Sequence, residues 1–439
     1  MKKKIGLLAA VILFAQTVYS LENIAFFKLT NGLKVIVSPM AGQKTVSIMT
    51  LHLNSVKDEP LDIKGSTFIL KRLIEVCGSA NLQHYERYRV MKRNGGEYAF
   101  AVQQDFSYLY QITPPNLLEN SLWFEKERME SLEIPENFLW SQKSRITKQL
   151  EEMLADSVQM RAIRWIHRIH FKDTPYEYPV YGNPDELSDI PNHKIKRFYL
   201  TLTEPQNTVL IICGNITIAD LKPILEKHFG EIQSTRISRT TSYVINQTVR
   251  PPLNTKKTED WALENIKHPM VFYGFAAPPK FHSDFIIYRF LLYYLLDPRI
   301  SKINHFFNIQ NNLNTDIFKN FSEHVGINSL VVGFSVTNRL EMERIKFGMN
   351  ELLQFLQTTK LSYNDINNTK TLMKIDYLKK LQDLQRRSEL IAEHYYIYRD
   401  LEMKEQFMKK LNSITPFSII RVAKNFFTDE YTKLNVYQK

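Results

Sequence analysis

DIPNHKIKRFYLTLTEPQNTVLIIC (residues 189–213) and SITPFSIIRVAKNFFTDEYTKLNVY (residues 413–437) are two versions of one design. Each starts at an isoleucine, runs through a helix-spaced stretch with an aromatic near its end, and finishes in a strand. They lie roughly 225 residues apart, and self-similarity at a fixed distance is the mark of a duplicated unit. Just upstream, LEIPENFLWSQKSRITKQLEE (132–152) and LSYNDINNTKTLMKIDYLKKL (361–381) match in helix placement. Strands and helices mix in both copies, so the fold class is α+β, with two tandem homologous domains.

Working outward, a chain of 439 residues is too long for one core, and two domains of about 200 residues each are expected. With 44% hydrophobic and 12% aromatic residues and only 14 glycines, the chain can bury a large core. That composition excludes disorder. Residues 234–259, STRISRTTSYVINQTVRPPLNTKKTE, lose apolar periodicity and carry Pro251-Pro252, which marks a linker. The expected division is therefore 1–20, 21–233, a linker at 234–259, and 260–439.

Residues 1–20, MKKKIGLLAAVILFAQTVYS, read as a secretory signal peptide: Lys2–Lys4, an apolar run, and small residues at Val18 and Ser20. An N-terminal anchor helix is the other reading, against which the run is short for a bilayer span. No later stretch is apolar enough to be a span, so an exported mature chain without a transmembrane segment is expected. In a double-membraned bacterium that destination is the periplasm. Cys77 and Cys213 sit in LIEVCGS and VLIICGN, contexts that read as buried helix end and buried strand, so inert core thiols are expected rather than a bridge. The net charge of +11 is dispersed rather than striped. It reads as a solvated basic surface, and no nucleic-acid motif accompanies it.

Local patterns fill in the first half. FFKLTNGLKVIVSPM reads as a hairpin turning at Asn31-Gly32. TVSIMTLHLNS (45–55) reads as a strand with Val46, Ile48, Thr50 and His52 on one face and Ser47, Met49, Leu51 and Leu53 on the other. Phe68, Ile69, Leu73 and Ile74 give residues 64–76 helical spacing. YERYRVMKRNGGEYAF is a helix stopped by Gly95-Gly96, and FSYLYQITP a strand ended by proline. Residues 115–133 and 135–171 read as long helices. In the second half, HPMVFYGFAAPP and INSLVVGFSV read as strands, SDFIIYRFLLYYLL as a buried helix, and 340–357 and 362–398 as long helices.

Several short pieces, in order, resemble the M16 metallopeptidase family (insulinase-, pitrilysin- and mitochondrial processing peptidase-like). They are Leu29-Thr30-Asn31-Gly32-Leu33-Lys34-Val35, then Asn54–Pro60 with Glu59-Pro60, then Gly95-Gly96 with Asp105–Leu109 and Pro114. Glu127-Arg128-Met129 and Thr174-Pro175-Tyr176, Pro179-Val180 and Gly182 follow. The resemblance covers nearly the whole chain after the first twenty residues. It implies a half clam shell in which each domain is a mostly antiparallel sheet packed with helices. It also implies an active-site helix directly after Gly65.

Working members carry H-x-x-E-H on that helix. Its two histidines share one face and bind zinc, while the glutamate polarises the attacking water. A glutamate from a neighbouring helix completes the site. On GSTFILKRLIEV (65–76) the family's first histidine falls on Phe68, its base on Lys71 and its second histidine on Arg72. The distal ligand falls on Gln149 and a supporting acid on Gln142. Phe68 cannot ligate, Lys71 and Arg72 carry charge that repels a cation, and Gln149 is a poor substitute for a carboxylate. No catalytic residue and no metal ligand is therefore expected, and no cofactor, although zinc is the family's. Other registers do not restore a site. His84 with Glu86, and Glu151 with Glu152, lack the pattern; His52 and Glu75 have no partner at ligand spacing. His167 and His170, at i, i+3, read as surface histidines. His305, His324 and His394 are scattered, and Lys302 stands where the family usually has arginine.

The resemblance with these substitutions implies a catalytically silent subunit. It would pair with a zinc-bearing M16 partner, or with a second copy, around a peptide-degrading chamber. Its strand Tyr98-Ala99-Phe100-Ala101-Val102 would offer an edge to a peptide substrate by strand addition. A scaffolding protein of the same fold without peptide handling is one alternative. The other is an active zinc metalloendopeptidase with an unorthodox site, which predicts zinc in the purified protein.

Overall fold

The computed structural model describes residues 24–234, 256–264, 266–313 and 315–439. The signal-peptide reading at 1–20, and 235–255 of the linker reading, lie outside the described residues. The fold is α+β, with two sheets that are mostly antiparallel and packed with helices. The first has strand order β1-β2-β6-β3-β5-β4: β1 (Ala25–Lys28), β2 (Lys34–Pro39), β3 (Val46–His52), β4 (Glu97–Val102), β5 (Ser107–Thr113) and β6 (Thr208–Gly214). The second has order β7-β11-β8-β10-β9: β7 (Lys257–Leu263), β8 (Met270–Ala277), β9 (Asp316–Phe321), β10 (Asn328–Ser335) and β11 (Thr432–Gln438). Among the described residues, only β2–β6 and β7–β11 pair in parallel. The paired stretches 189–213 and 413–437 end in β6 and β11, each an interior strand of its own sheet.

The Asn31-Gly32 turn closes the first hairpin. Gly32 takes φ +96°, which only glycine adopts without strain. The Asn31 amide donates to the carbonyls of Phe229 (2.7 Å) and Ile232 (3.1 Å), tying the turn to the end of the helix that follows β6. Every residue of β3 is buried, and its two faces divide as alternation predicts. Val46 and Ile48 pack with Leu122, Leu221 and Phe229 of the first half's own helices. Met49 and Leu51 pack with Ile391, Ala392 and Tyr395 of the second half.

That second contact reveals an exchange between the halves. Helix α1 (Leu384–Tyr398) belongs by sequence to the second repeat but lies on the first sheet. There Ser388 Oγ meets Ser47 Oγ at 3.0 Å and donates to Cys213 Sγ at 3.3 Å. Helix α2 (Val158–His170) belongs to the first repeat but lies on the second sheet, with Ala162 and Ile166 among Phe272, Val331 and Leu434. A Cβ at Gly274 would sit 2.4 Å from Ile166 Cγ2, so the absence of a side chain there lets α2 approach. Each half covers the other's sheet, and the two form a shared core.

The stretches expected as single helices at 135–171 and 362–398 are each two helices. Glu136–Asp156 stops before Ser157, whose backbone is extended and whose Oγ accepts from Met160 N at 3.2 Å. Tyr363–Gln382 stops before Asp383, whose carboxylate accepts from Arg386 N at 2.8 Å. Capping residues at corresponding places end one helix and start the exchanged one. Edge strands β7 and β9 carry no clear alternation of residue type and were not legible. β7 begins at Lys257, inside the stretch expected to be linker. Cys77 and Cys213 are buried and free. Burial pushes the Cys77 thiol up to about 12 and that of Cys213 to about 11. No helix among the described residues is long and apolar enough to cross a membrane.

Candidate functional site: the helix after Gly65

Helix α3 (Ser66–Val76) is held at its start by residues of the motif pieces. Gly65 takes φ +100°, and Gly182 of the Pro179–Gly182 loop takes φ +71°. A Cβ on Gly182 would lie 2.9 Å from the Gly65 Cα, so the two glycines are seated against each other. Glu59, 4% exposed, accepts from Gly65 N (2.8 Å), Thr67 N (2.5 Å) and Thr67 Oγ1 (2.7 Å). This satisfies donors that a helix N-terminus leaves open. Burial pushes the Glu59 carboxyl up to about 7, against the pull of those donors and of Lys64.

Ile69, Leu70, Leu73 and Ile74 face the core. The residues aligned with the zinc site stand half-buried on the other face. Phe68 meets Tyr181 edge-on, with ring centroids 6.4 Å apart at 72°. Arg72 Nη1 lies 3.6 Å from Glu75 Oε2. On helix Glu136–Asp156, Gln149, Glu151 and Glu152 are exposed, while Gln142 is buried with its Oε1 unpartnered. Among the described residues no group of three or more His, Cys, Asp or Glu is placed to hold a metal. An aromatic ring, an ammonium and a guanidinium do not fit a zinc ion, so the donor set here does not suit the family's metal.

β4 is the edge of its sheet. Gln103 N donates to Phe106 O at 3.2 Å, which turns the odd-numbered residues of β4 toward β5 and the even-numbered ones outward. Tyr98, Phe100 and Val102 therefore present the outward backbone groups that an added strand would use. One of these is already occupied: Phe100 N donates to Glu75 Oε1 at 3.1 Å. Tyr98 Oη also donates back to Ile74 O at 3.3 Å. The expected peptide strand is an edge, but its central amide is closed by the chain's own carboxylate. Replacing Glu75 with alanine should speed hydrogen exchange at the Phe100 amide by about ten-fold or more. Unchanged exchange would show that the carboxylate does not guard that position.

Two further motif residues, Asp105 and Tyr176, join the halves. Tyr176 Oη donates to Asp105 at 2.7 Å and accepts from Gly326 N at 3.1 Å. Asp105 also accepts from Val325 N at 2.8 Å. Burial raises the Asp105 carboxyl above its usual range. His324 stacks on Tyr176, with ring centroids 5.0 Å apart at 11°. The histidines expected at the surface, His167 and His170, belong to this joint instead, because α2 is spent on the second sheet. His170 is buried, with Nδ1 2.7 Å from Ser329 Oγ and Nε2 3.1 Å from Thr432 Oγ1. His167 lies against Phe171, with its Nε2 buried and unpartnered. Burial holds His167 at about 3, His170 at about 4 and His324 at about 3. The motif pieces carrying Glu59, Gly65, Asp105, Tyr176 and Gly182 were visible in the sequence; their roles as clasp and seat were not.

The family described as "Peptidase M16 inactive domain" matches residues 189–373. The curated "Zinc protease PqqE" of Helicobacter pylori is 18% identical over 409 residues, covering 91% of this chain and 89% of that one. A solved structure of a protease from Helicobacter pylori superposes with TM-score 0.86 at 17% identity, over 94% of this chain and 99% of that chain. A putative M16-like peptidase from Alicyclobacillus acidocaldarius gives 0.77 at 14%, over 95% and 98%. A peptidase M16 inactive domain from Pseudomonas fluorescens gives 0.81 at 10%, over 95% and 98%.

Proposed function

We propose, from the chain's likeness to M16 peptidases, that it is a catalytically silent subunit that works beside a zinc-bearing M16 partner, forming one wall of a peptide-degrading chamber. One observation carries the reading. The helix after Gly65 is kept in a built seat, capped by Glu59 and locked against Gly182, while its zinc-aligned side chains are Phe68, Lys71 and Arg72. A chain freed from all peptidase context has no need of that seat. Lys71 and Arg72 keep their heads partly in solvent and fill the vacated face, as long cationic side chains do. The closure of Phe100 by Glu75 means that a peptide added to β4 must displace a carboxylate first. This favours a wall over an independent peptide-binding site.

The test is to mix the purified chain with a zinc-bearing M16 subunit from the same organism and follow peptide cleavage and complex mass. The expected result is no cleavage by this chain alone, a stable heteromeric complex, and faster cleavage by the mixture than by the partner. Stoichiometric zinc in this chain, with chelator-sensitive cleavage in the partner's absence, would overturn the reading.

A further inference from the structure

We propose that the second half carries a binding cleft for a carboxylate with an apolar body, separate from the helix that replaces the zinc site. The cleft lies between helices Phe285–Leu296, Tyr363–Gln382, Leu384–Tyr398 and Met403–Asn412, is open to solvent, and has a cavity volume of about 130 Å3. Its walls are apolar, from Ile286, Met373, Leu390, Ile397 and Phe407. Tyr377 stacks on Phe407 with centroids 3.9 Å apart at 9°, which makes one wall flat and rigid.

The polar end of the cleft has more positive than negative charge. Lys280 is buried, with its ammonium 3.2 Å from Glu393 and 3.5 Å from Glu323. Arg289 shares Glu323 at 4.0 Å. Lys380 lines the same cleft and makes no ion pair among the described residues. Burial first, and then the neighbouring Arg289, lower its hold on the proton, against the pull of Glu323 and Glu393. Asp376, also in the lining, is paired with Arg299, and Lys410 donates only to the Tyr398 hydroxyl. The cations of the cleft therefore outnumber the carboxylates free to meet them, and a partly buried charge without a partner is unfavourable. Tyr377, one helical turn before Lys380, has a buried hydroxyl without a hydrogen-bond partner. A carboxylate in the cleft supplies a negative charge for Lys380, and the molecule that carries it an acceptor for the Tyr377 hydroxyl. The apolar walls call for a hydrocarbon or aromatic body attached to it.

Two sources offer this chemistry: a free acid, and the C-terminal residue of a peptide with an apolar side chain. Calorimetry on the full chain alone separates them, with 4-phenylbutyrate, its primary amide, N-acetyl-leucyl-phenylalanine and the amide of that dipeptide as probes. The expected result is saturable binding of one or both acids, weakened about ten-fold or more by amidation and by Lys380→Met. Tyr377→Phe should weaken it by a smaller factor, and Lys380→Arg should largely keep it. Binding of the dipeptide acid alone assigns the site to peptide C-termini, and of 4-phenylbutyrate alone to free acids. Failure of both acids to bind, equal binding of acid and amide, or indifference to Lys380→Met would overturn the proposal. No partner subunit is used, so the outcome is independent of the proposed pairing.

Discussion

Acidification from about pH 7 to about pH 5 should cost this protein several kcal/mol of stability, because its joint is built on histidines that fold neutral. His52, His167, His170 and His324 are all held below the ordinary value of 6.5, each by burial first. A histidine with a depressed folded value binds its proton only in the unfolded chain as pH falls through 6.5. Its contribution is complete above that value and is lost progressively toward the folded value near 3 to 4. Each such ring costs about 1.4 kcal/mol per pH unit in that window. Glu59, pushed up to about 7, and Asp105, also raised, act in the opposite sense. They take up protons in the folded state and gain stability on acidification. The lowered rings, His394 included, outnumber the raised carboxyls, so the net effect of acidification is a loss of stability, roughly 1.4 kcal/mol per pH unit for each unbalanced ring. His167 and His324 keep some exposed surface, so the slope for each ring should lie at or below that figure. One unbalanced ring over two pH units is already a sizeable part of the lower end of a typical stability of about 5–15 kcal/mol. Denaturant unfolding at stepped pH measures it. His324→Phe keeps a ring against Tyr176 while removing one titrating group, so its slope should fall by about one proton. A pH-independent midpoint, or a slope unchanged by His324→Phe, would rule the mechanism out.

The same histidines show where reading the sequence stops. The duplicated unit was legible because β6 and β11 end matching stretches, and because alternation in β3 assigns its faces correctly. Helix α3 was legible from its apolar spacing, and Phe68, Lys71 and Arg72 from motif order. What stayed hidden is non-local. Nothing between residues 158 and 170 states that this helix covers the other half's sheet. Its histidines therefore read as surface when they are core. The caps at Ser157 and Asp383 were local signals, but continuous helical periodicity on both sides masked them. β7 was missed because its alternating burial is not matched by alternating residue type, and β9 because it alternates in neither. The closure of Phe100 by Glu75 joins residues 25 positions apart and depends on register, which only the assembled sheet fixes.

Gly65→Ala should be among the most damaging single substitutions in the chain, and comparison with Gly42→Ala shows why. Both glycines have positive φ, +100° at Gly65 and +81° at Gly42, so alanine is strained at either position. That conformational cost is about 1–2 kcal/mol. At Gly42 nothing lies within 4 Å of an added Cβ, and the cost should end there. At Gly65 the same atom would sit 2.4 Å from Leu187 Cδ2 and 2.8 Å from the Tyr181 carbonyl oxygen. Leu187 is fully buried, and the carbonyl belongs to the backbone that carries Gly182 into contact with Gly65. Neither neighbour can yield without shifting the loop, which adds about 1–3 kcal/mol of overpacking. The total for Gly65→Ala is then about 2–5 kcal/mol, against about 1–2 kcal/mol for Gly42→Ala, by denaturant midpoint at constant m-value. Equal costs at the two sites would mean that the loop gives way freely and the seat of helix α3 is loose. A large difference would mean that the chain holds this helix in a defined place even though Phe68, Lys71 and Arg72, where the M16 resemblance would put two histidines and a glutamate, offer no zinc ligand. A silent wall in a peptidase chamber requires such a position. A loop that merely tolerates degenerate residues does not.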